Sequence, residues 1–242
     1  MLSIDLHTHT LDSRCGLHTL LEVLEIAREK GIRAIAITDH GPKAGNPPRG
    51  TFLKAERTPG EYKGLAVLKG IEANILSPDG AIDAPPAHWA NYDVVLAGFH
   101  PCGWTDAGAE RNTEALLRLL RSERRPDIVS HPDIRTFPLM MEEAAEAAAE
   151  AGVALELNTA NLVLDKTDLD AARRMIRAGA RHGTLFALNS DGHTWAEFGR
   201  DEPMRDFLRE MGAPALDIIN DWPLERALGH FRARKQARAA SR

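Results

Sequence analysis

The chain predicts an α/β fold built on a parallel sheet, and three observations carry this reading. Seven short runs rich in Val, Ile, Leu and Ala, at 4–9, 34–40, 66–76, 94–100, 127–131, 154–159 and 185–190, alternate with amphipathic helical stretches. The runs are hydrophobic enough for strands covered by helices on both faces. No Gly-x-Gly-x-x-Gly or Walker-type loop follows any of them, so an open nucleotide-binding sheet loses its main support. A closed barrel is expected, and 242 residues suit a single domain of that kind.

The elements follow in order. After the first strand, the helix at 20–30 has clear bounds. Thr19-Leu20-Leu21-Glu22 forms a capping box, Leu20, Leu21, Leu24 and Ala27 make one stripe, and Lys30-Gly31 is the stop. Residues 41–64, between the second and third strands, hold five glycines and four prolines, and a connection this long predicts a flap over the active face. Helices at 112–123, 139–151 and 169–181 follow the fourth, fifth and sixth strands, and helices at 203–211 and from about 223 onward close the chain. Residues 232–242 carry Arg232, Arg234, Lys235, Arg238 and Arg242 without an interleaved aromatic. They are expected to be a solvated helix end fraying into disorder rather than a nucleic-acid contact. The domain therefore spans 1–242, ending in that tail.

Hydrophobic residues at 43% and charged residues at 27% are those of an ordinary globular protein. No apolar run approaches the ~20 residues that span a bilayer. The first strand begins by residue 4, which leaves no room for a basic segment and an apolar segment ahead of it, so a cytoplasmic location is expected. The two cysteines, Cys15 and Cys102, are expected as free thiols in a reducing compartment, with Cys102 a small buried side chain. A net charge of −5 gives no general attraction to nucleic acid. The local exception is the group Lys43, Arg49, Lys54, Arg57 and Lys63. No pattern specifies an oligomer.

Chemistry concentrates at the strand ends. These carry His7 and His9, His40 after Thr38-Asp39, Glu72, His100, His131, and Asp191 with His193. In a parallel barrel the C-terminal strand ends converge on one face, so six of the ten histidines meet there. Alternate strand residues share a face, which brings His7 together with His9, and Asp191 with His193. A lone histidine at such a position is more often a satisfied polar residue, but six at equivalent ends reverse that weighting. Glu72 interrupts the apolar run 66–76. An unpaired buried carboxylate there would cost several kcal/mol, which either a neighbouring cation or a salt bridge to Lys or Arg removes.

A catalytic zinc takes three protein ligands and water, so eight or nine candidate donors imply two to three divalent transition metals, Zn, Mn or Fe. Such ions make water nucleophilic near neutral pH and hold phosphoryl oxygens. Phosphoester hydrolysis fits best, with amide or lactone hydrolysis as the competing reaction. Arg14 and Arg57 are the residues expected to bind substrate phosphate through a guanidinium fork, with Arg49 and Arg135 as further candidates. Asp5 and Asp39 have two open roles, orienting imidazoles or fixing loops. His88, His182 and His230 read as surface or packing residues.

The set His7-Thr8-His9, Thr38-Asp39-His40-Gly41, Gly70-Ile71-Glu72-Ala73-Asn74, Gly98-Phe99-His100, Ser130-His131-Pro132 and Asn189-Ser190-Asp191-Gly192-His193 resembles the PHP (polymerase and histidinol phosphatase) superfamily, in its small stand-alone phosphatase branch. The resemblance implies a distorted (β/α)₇ TIM-like barrel with a trinuclear site. His7, His9, Glu72 and Asp191 would hold the first metal, and Glu72 would bridge to a second held by His100 and His131. His40 and His193 would hold a third, where the family usually adds a histidine at the place of Cys15. Here either Cys15 or His18 would complete that set, or the third site would be weak or empty. Glu72, Asp191 and His193 are the residues expected to be catalytic.

The implied activity is that of a metal-dependent phosphoric ester hydrolase, cleaving a phosphomonoester of a small phosphorylated metabolite with a metal-activated hydroxide. A nuclease or cyclic-phosphodiester hydrolase is the alternative enzyme. A non-catalytic metal-binding regulatory module is the alternative of another class.

Overall fold

A computed structural model describes residues 1–45 and 55–240. Arg49, Arg242 and the middle of the expected flap lie outside them. The strands are β1 (Ile4–Thr8), β2 (Ala34–Ile37), β3 (Glu61–Tyr62), β4 (Leu65–Asn74), β5 (Val94–Gly98), β6 (Ile128–Val129), β7 (Ala154–Asn158), β8 (Leu185–Asn189) and β9 (Asp217–Ile218). The helices are α1 (Leu20–Glu29), α2 (Ala109–Arg121), α3 (Met141–Ala151), α4 (Thr159–Val163), α5 (Leu169–His182), α6 (Glu202–Glu210) and α7 (Leu224–Ala240). No helix among the described residues is long and apolar enough to cross a membrane.

The sheet runs β1-β2-β4-β5-β6-β7-β8-β9, parallel throughout, with β3 antiparallel beside β4. β1, β2 and β4–β8 are the seven strands expected from the sequence; β3 and β9, at two residues each, are too short to leave a pattern. The sheet curls until β1 meets the end of β8. His9 N donates to Gly192 O at 2.9 Å, and the Asn220 side chain donates to Ile4 O at 2.9 Å while accepting from Leu188 N at 2.8 Å. This seam closes the α/β barrel.

Side-chain alternation sorts the inside from the outside. Ile4, Leu6, Ala34, Ala36, Leu68, Val94, Leu96, Ile128, Ala154 and Ala187 form one cluster. Since these residues come from seven strands, that cluster is the barrel interior. Continuing in steps of two toward the C-terminal ends gives Thr38 and His40, Gly70 and Glu72, Gly98 and His100, Glu156 and Asn158, and Asn189, Asp191 and His193. Three residues break the count, at two places, and each place has a local cause. The β1–β2 register shifts between Asp5 and Thr8, and a bulge there turns His7 and His9 inward above Leu6. His131 holds φ 33°, a left-handed conformation that carries its ring off the normal alternation.

Gly98 makes room for that ring. A Cβ on it would strike Ser130 Oγ and lie 3.1 Å from His131 Cε1.

On the outer face, α1 packs Val23, Leu24 and Ala27 against Ile35, Ile37 and Val67. It begins on the expected capping box, with Thr19 N donating to Glu22 Oε2 at 2.7 Å. The C-terminal segment departs from expectation. Instead of fraying, α7 runs through Ala240, with Arg238 only 8% exposed. Arg238 and Arg234 both donate to the buried Asp127 carboxylate, and Lys235 Nζ lies 2.7 Å from Asp93 Oδ1. Three of the basic residues that look solvated in sequence, Arg234, Lys235 and Arg238, are thus docked on acids at the N-terminal ends of β5 and β6, while Arg232 is exposed. Cys102, expected to be buried, is exposed, with its thiol donating to Asn74 Oδ1 at 3.3 Å.

Candidate metal centre

Main-chain pairing sets the first contacts of the site. Gly41 N donates to Glu72 O at 2.8 Å and Glu72 N to Asp39 O at 3.2 Å, so the chain beyond β2 stays beside β4 and brings His40 to Glu72. Asp191, like His131, has positive φ, 51°. Strained backbone of this kind persists where the surrounding structure over-determines it, often at functional sites.

Around one point lie His7 Nε2, His9 Nε2, Glu72 Oε2 and Asp191 Oδ1. The His7–His9 separation is 3.0 Å, His7–Glu72 3.3 Å, His7–Asp191 3.4 Å, His9–Asp191 3.1 Å and His9–Glu72 3.5 Å. Four donors at ~2.0–2.1 Å from a tetrahedral zinc lie about 3.3–3.4 Å apart, so these edges have the size a metal requires. The other Glu72 oxygen, Oε1, faces a different pair. His131 Nε2 is 2.9 Å from it, His100 Nε2 is 3.2 Å from it, and the two nitrogens are 3.2 Å apart.

A third group comprises His9, Cys15 and His193, whose candidate donor atoms lie within 4.8 Å of one another. His40 stands between the groups, with Nδ1 2.8 Å from Glu72 Oε2. His193 Nδ1 lies 2.8 Å from Asp191 O, leaving its other ring nitrogen for this group.

The electrostatics show what these donors lack. Burial disfavours charge on Glu72, yet the His7, His100 and His40 imidazoles hold its carboxyl well below the usual range. Burial likewise opposes charge on Asp191, and His7 and His9 depress it further than burial raises it. Two carboxylates therefore demand positive charge at the centre. The imidazoles differ in how they meet that demand: burial lowers His9 to about 4 and also lowers His100, whereas His7, His40 and His131 are raised because the neighbouring carboxylates outweigh burial. Glu72 Oε2 is buried with the imidazole nitrogens of His40, His7 and His9 at 2.8, 3.3 and 3.5 Å around it. A cation between the imidazole lone pairs and the carboxylates would satisfy them together, so the residues present fit a metal.

Glu156, which the sequence reading missed, organises this cluster from β7, the one barrel strand whose end offered no expected ligand. Its Oε1 accepts from His7 Nδ1 at 2.7 Å and Asn189 Nδ2 at 2.8 Å; its Oε2 accepts from His131 N at 2.8 Å and Asn158 Nδ2 at 3.0 Å. One buried carboxylate thus orients His7 with Nε2 toward the centre and anchors the left-handed turn at His131. The readable signal was Glu156 and Asn158 at alternate positions of an otherwise apolar strand.

Several expected residues lie elsewhere. His18 Nε2 accepts from Trp195 N at 3.0 Å and its ring packs 6.0 Å from Phe198; it does not join the donor groups. Arg14 is exposed, with its guanidinium beside Gly45. Arg57 is exposed, and neither arginine lines the cavity over the centre. Arg135 is engaged with Asp165 at 2.7 Å. Asp39 accepts from Thr10 N and Thr10 Oγ1, and Asp5 from Ser190 N, Ser190 Oγ and Gly199 N; these contacts fix loops. His88, His182 and His230 sit in peripheral contacts with Glu56, Glu142 and Trp222.

Fold and site together define a class, a parallel α/β barrel with a buried histidine–carboxylate cluster that fits a metal at its C-terminal strand ends. The chain belongs to a bacterial family of proteins named probable phosphatases. It is 35% identical over 225 residues to one from Enterobacter sp. (strain 638), covering 92% of this chain and 91% of the relative. It is 35% identical over 231 residues to another from Aeromonas hydrophila subsp. hydrophila, covering 95% and 93%. No family model matches. Among solved structures, the fold matches histidinol phosphate phosphatase from Lactococcus lactis subsp. lactis, which was crystallised with zinc, L-histidinol and phosphate. The TM-score is 0.60 at 19% identity, over 88% of this chain and 95% of that one.

Proposed function

We propose that the chain is a metal-dependent phosphomonoesterase of the PHP superfamily acting on small phosphorylated substrates. The observation that carries this reading is the division of Glu72, with one oxygen in the His7–His9–Asp191 group and the other against His100 and His131. In this reading His7, His9, Glu72 and Asp191 hold one metal, Glu72, His100 and His131 a second, and His40, His193 and Cys15 a third. Bound metals supply a water that loses its proton near neutral pH and positive charge for the phosphoryl and leaving oxygens. The residues of the chain do the positioning. Glu156 fixes the His7 tautomer, Asn158 Nδ2 holds Asp191 Oδ2 at 3.1 Å, and Ser13 Oγ lies 2.9 Å from both His9 Nδ1 and His40 N.

The cavity over the centre, about 340 Å³, has Lys166 as its one lysine or arginine among the described residues. A groove that tracks a nucleic-acid backbone needs a line of cations, so a small substrate is favoured over a nuclease reading. The test is phosphate release from a phosphomonoester such as p-nitrophenyl phosphate, with bis(p-nitrophenyl) phosphate in parallel. Monoester hydrolysis that stops on chelation and returns with Zn, Mn or Fe supports the reading. Diester cleavage alone, or no cleavage with any metal, overturns it.

Two predictions follow from individual residues. Cys15→Ser lowers bound metal by about one equivalent, whereas His18→Ala leaves it unchanged; in cobalt-substituted protein, Cys15→Ser also removes a thiolate-to-cobalt charge-transfer absorption. Equal metal content in both variants would show that Cys15 is no ligand. Glu156→Gln weakens metal binding roughly 10–100-fold, measured by competition with a chromophoric chelator. The amide puts an N–H₂ against a donor, either His7 Nδ1 or His131 N. Unchanged affinity would mean that Glu156 does not set ligand geometry.

A further inference from the structure

With the phosphoryl group assigned to the imidazole–carboxylate floor, the opposite side of the cavity describes the rest of the substrate. Phe99, Pro101, Ile134 and Phe137 form an apolar wall, and Lys166 stands on its rim. The carboxylates lining this cavity among the described residues, Glu72 and Asp191, belong to the floor and face imidazoles.

The acids next to Lys166 in sequence are committed elsewhere. Asp165 Oδ1 accepts from Arg135 Nη2 at 2.7 Å, and Asp168 Oδ1 caps α5 by accepting from Asp170 N and Ala171 N, both at 2.9 Å. The Lys166 backbone is held on both sides, its N–H donating to Asn161 O at 2.8 Å and its carbonyl accepting from Arg135 N at 3.0 Å. Lys166, an exposed residue, thus lines this cavity together with apolar side chains, and among the described residues no carboxylate is paired with its ammonium.

We propose that Lys166 reads a second anionic group on the leaving-group side. The chain then acts on small phosphomonoesters that also carry a carboxylate or another phosphate, and selects against cationic leaving groups. This rests on the phosphatase reading above. In the hydrolysis, the water oxygen bonds to phosphorus, the ester P–O bond breaks and the leaving oxygen takes a proton; the second anion passes through unchanged. A lysine ammonium is a point charge that donates to carboxylate and phosphate alike, and its hydrogen bond to either is charge-assisted.

The experiment measures kcat/KM of the full-length, metal-loaded protein on four esters of similar size. These are 3-phosphoglycerate, 1,3-propanediol bisphosphate, glycerol 3-phosphate and phosphoethanolamine. The expected result is at least about a tenfold preference for one or both of the first two over phosphoethanolamine, expressed mainly in KM. Lys166→Arg keeps the preference, Lys166→Met levels it and Lys166→Glu inverts it. Each ratio comes from one preparation, so partial misfolding of a variant cancels. Hydrolysis of glycerol 3-phosphate without a charge preference, or with a preference that Lys166→Glu leaves intact, overturns this inference alone. Hydrolysis of p-nitrophenyl phosphate but of none of the four likewise overturns this inference alone, and hydrolysis of none of the five overturns the phosphatase reading beneath it.

Discussion

Glu72→Gln is expected to lower kcat/KM for phosphomonoester hydrolysis by at least about 10³-fold, the equivalent of about 4 kcal/mol of transition-state stabilisation. It is also expected to reduce bound metal by more than one equivalent. Glutamine keeps the size of the side chain but removes the negative charge and offers only one oxygen. Both oxygens of Glu72 are in use, Oε1 against His100 and His131, and Oε2 against His7, His9 and His40. Loss of either one dismantles a donor set, and loss of the charge removes the carboxylate that both sets share. Metal content and kinetics measured together, with circular dichroism to confirm the fold, check this. A variant that keeps its metals and its rate would show that Glu72 is not the bridge.

The second large effect is on stability and lies at the other end of the barrel. Asp127→Ala is expected to destabilise the protein by about 3–5 kcal/mol, seen by calorimetry as a fall in Tm on the order of 10 °C. Asp127 is buried and accepts from Val95 N at 2.8 Å, from Arg238 Nη1 at 2.8 Å and from Arg234 Nε. Alanine would strand the buried Arg238 guanidinium, whose remaining partners are the carbonyls of Tyr92 and Asp93. Arg232→Ala, at an exposed position of the same helix, should change stability by less than about 0.5 kcal/mol. Removing 233–242 should destabilise as Asp127→Ala does. A frayed tail would make both changes silent.

The contrast between these two regions shows what the sequence makes legible. Ligand positions at β2, β4, β5 and β8 follow from simple alternation, because an apolar strand that continues by twos to a polar residue puts that residue in the barrel mouth. His7 and His131 were recognisable as residue types, but their inward aim depends on a bulge and a left-handed φ, and neither leaves a sequence pattern. Glu156 does not stand out in the sequence because it is a carboxylate two residues before the end of β7, in a strand with no histidine. The tail was misread because its acid partners, Asp93 and Asp127, are more than a hundred residues away in sequence. The choice between Cys15 and His18 depends on where a loop turns. Cys15 falls beside His9 and His193, while His18 is taken up by Trp195 and Phe198. Arg14 and Arg57 failed as cavity residues for the same reason, since loop side-chain direction is set by tertiary contacts.

The proposed polynuclear metal centre is organised around Glu72. The most direct measurement is the metal content per chain of protein purified without added metal, determined by elemental mass spectrometry and compared between wild type and His131→Ala. The wild type is expected to hold at least two equivalents of Zn, Mn or Fe, with about one lost on substitution of His131 together with phosphomonoester hydrolysis. Fewer than two equivalents in wild type, or hydrolysis indifferent to the loss of His131, would contradict it.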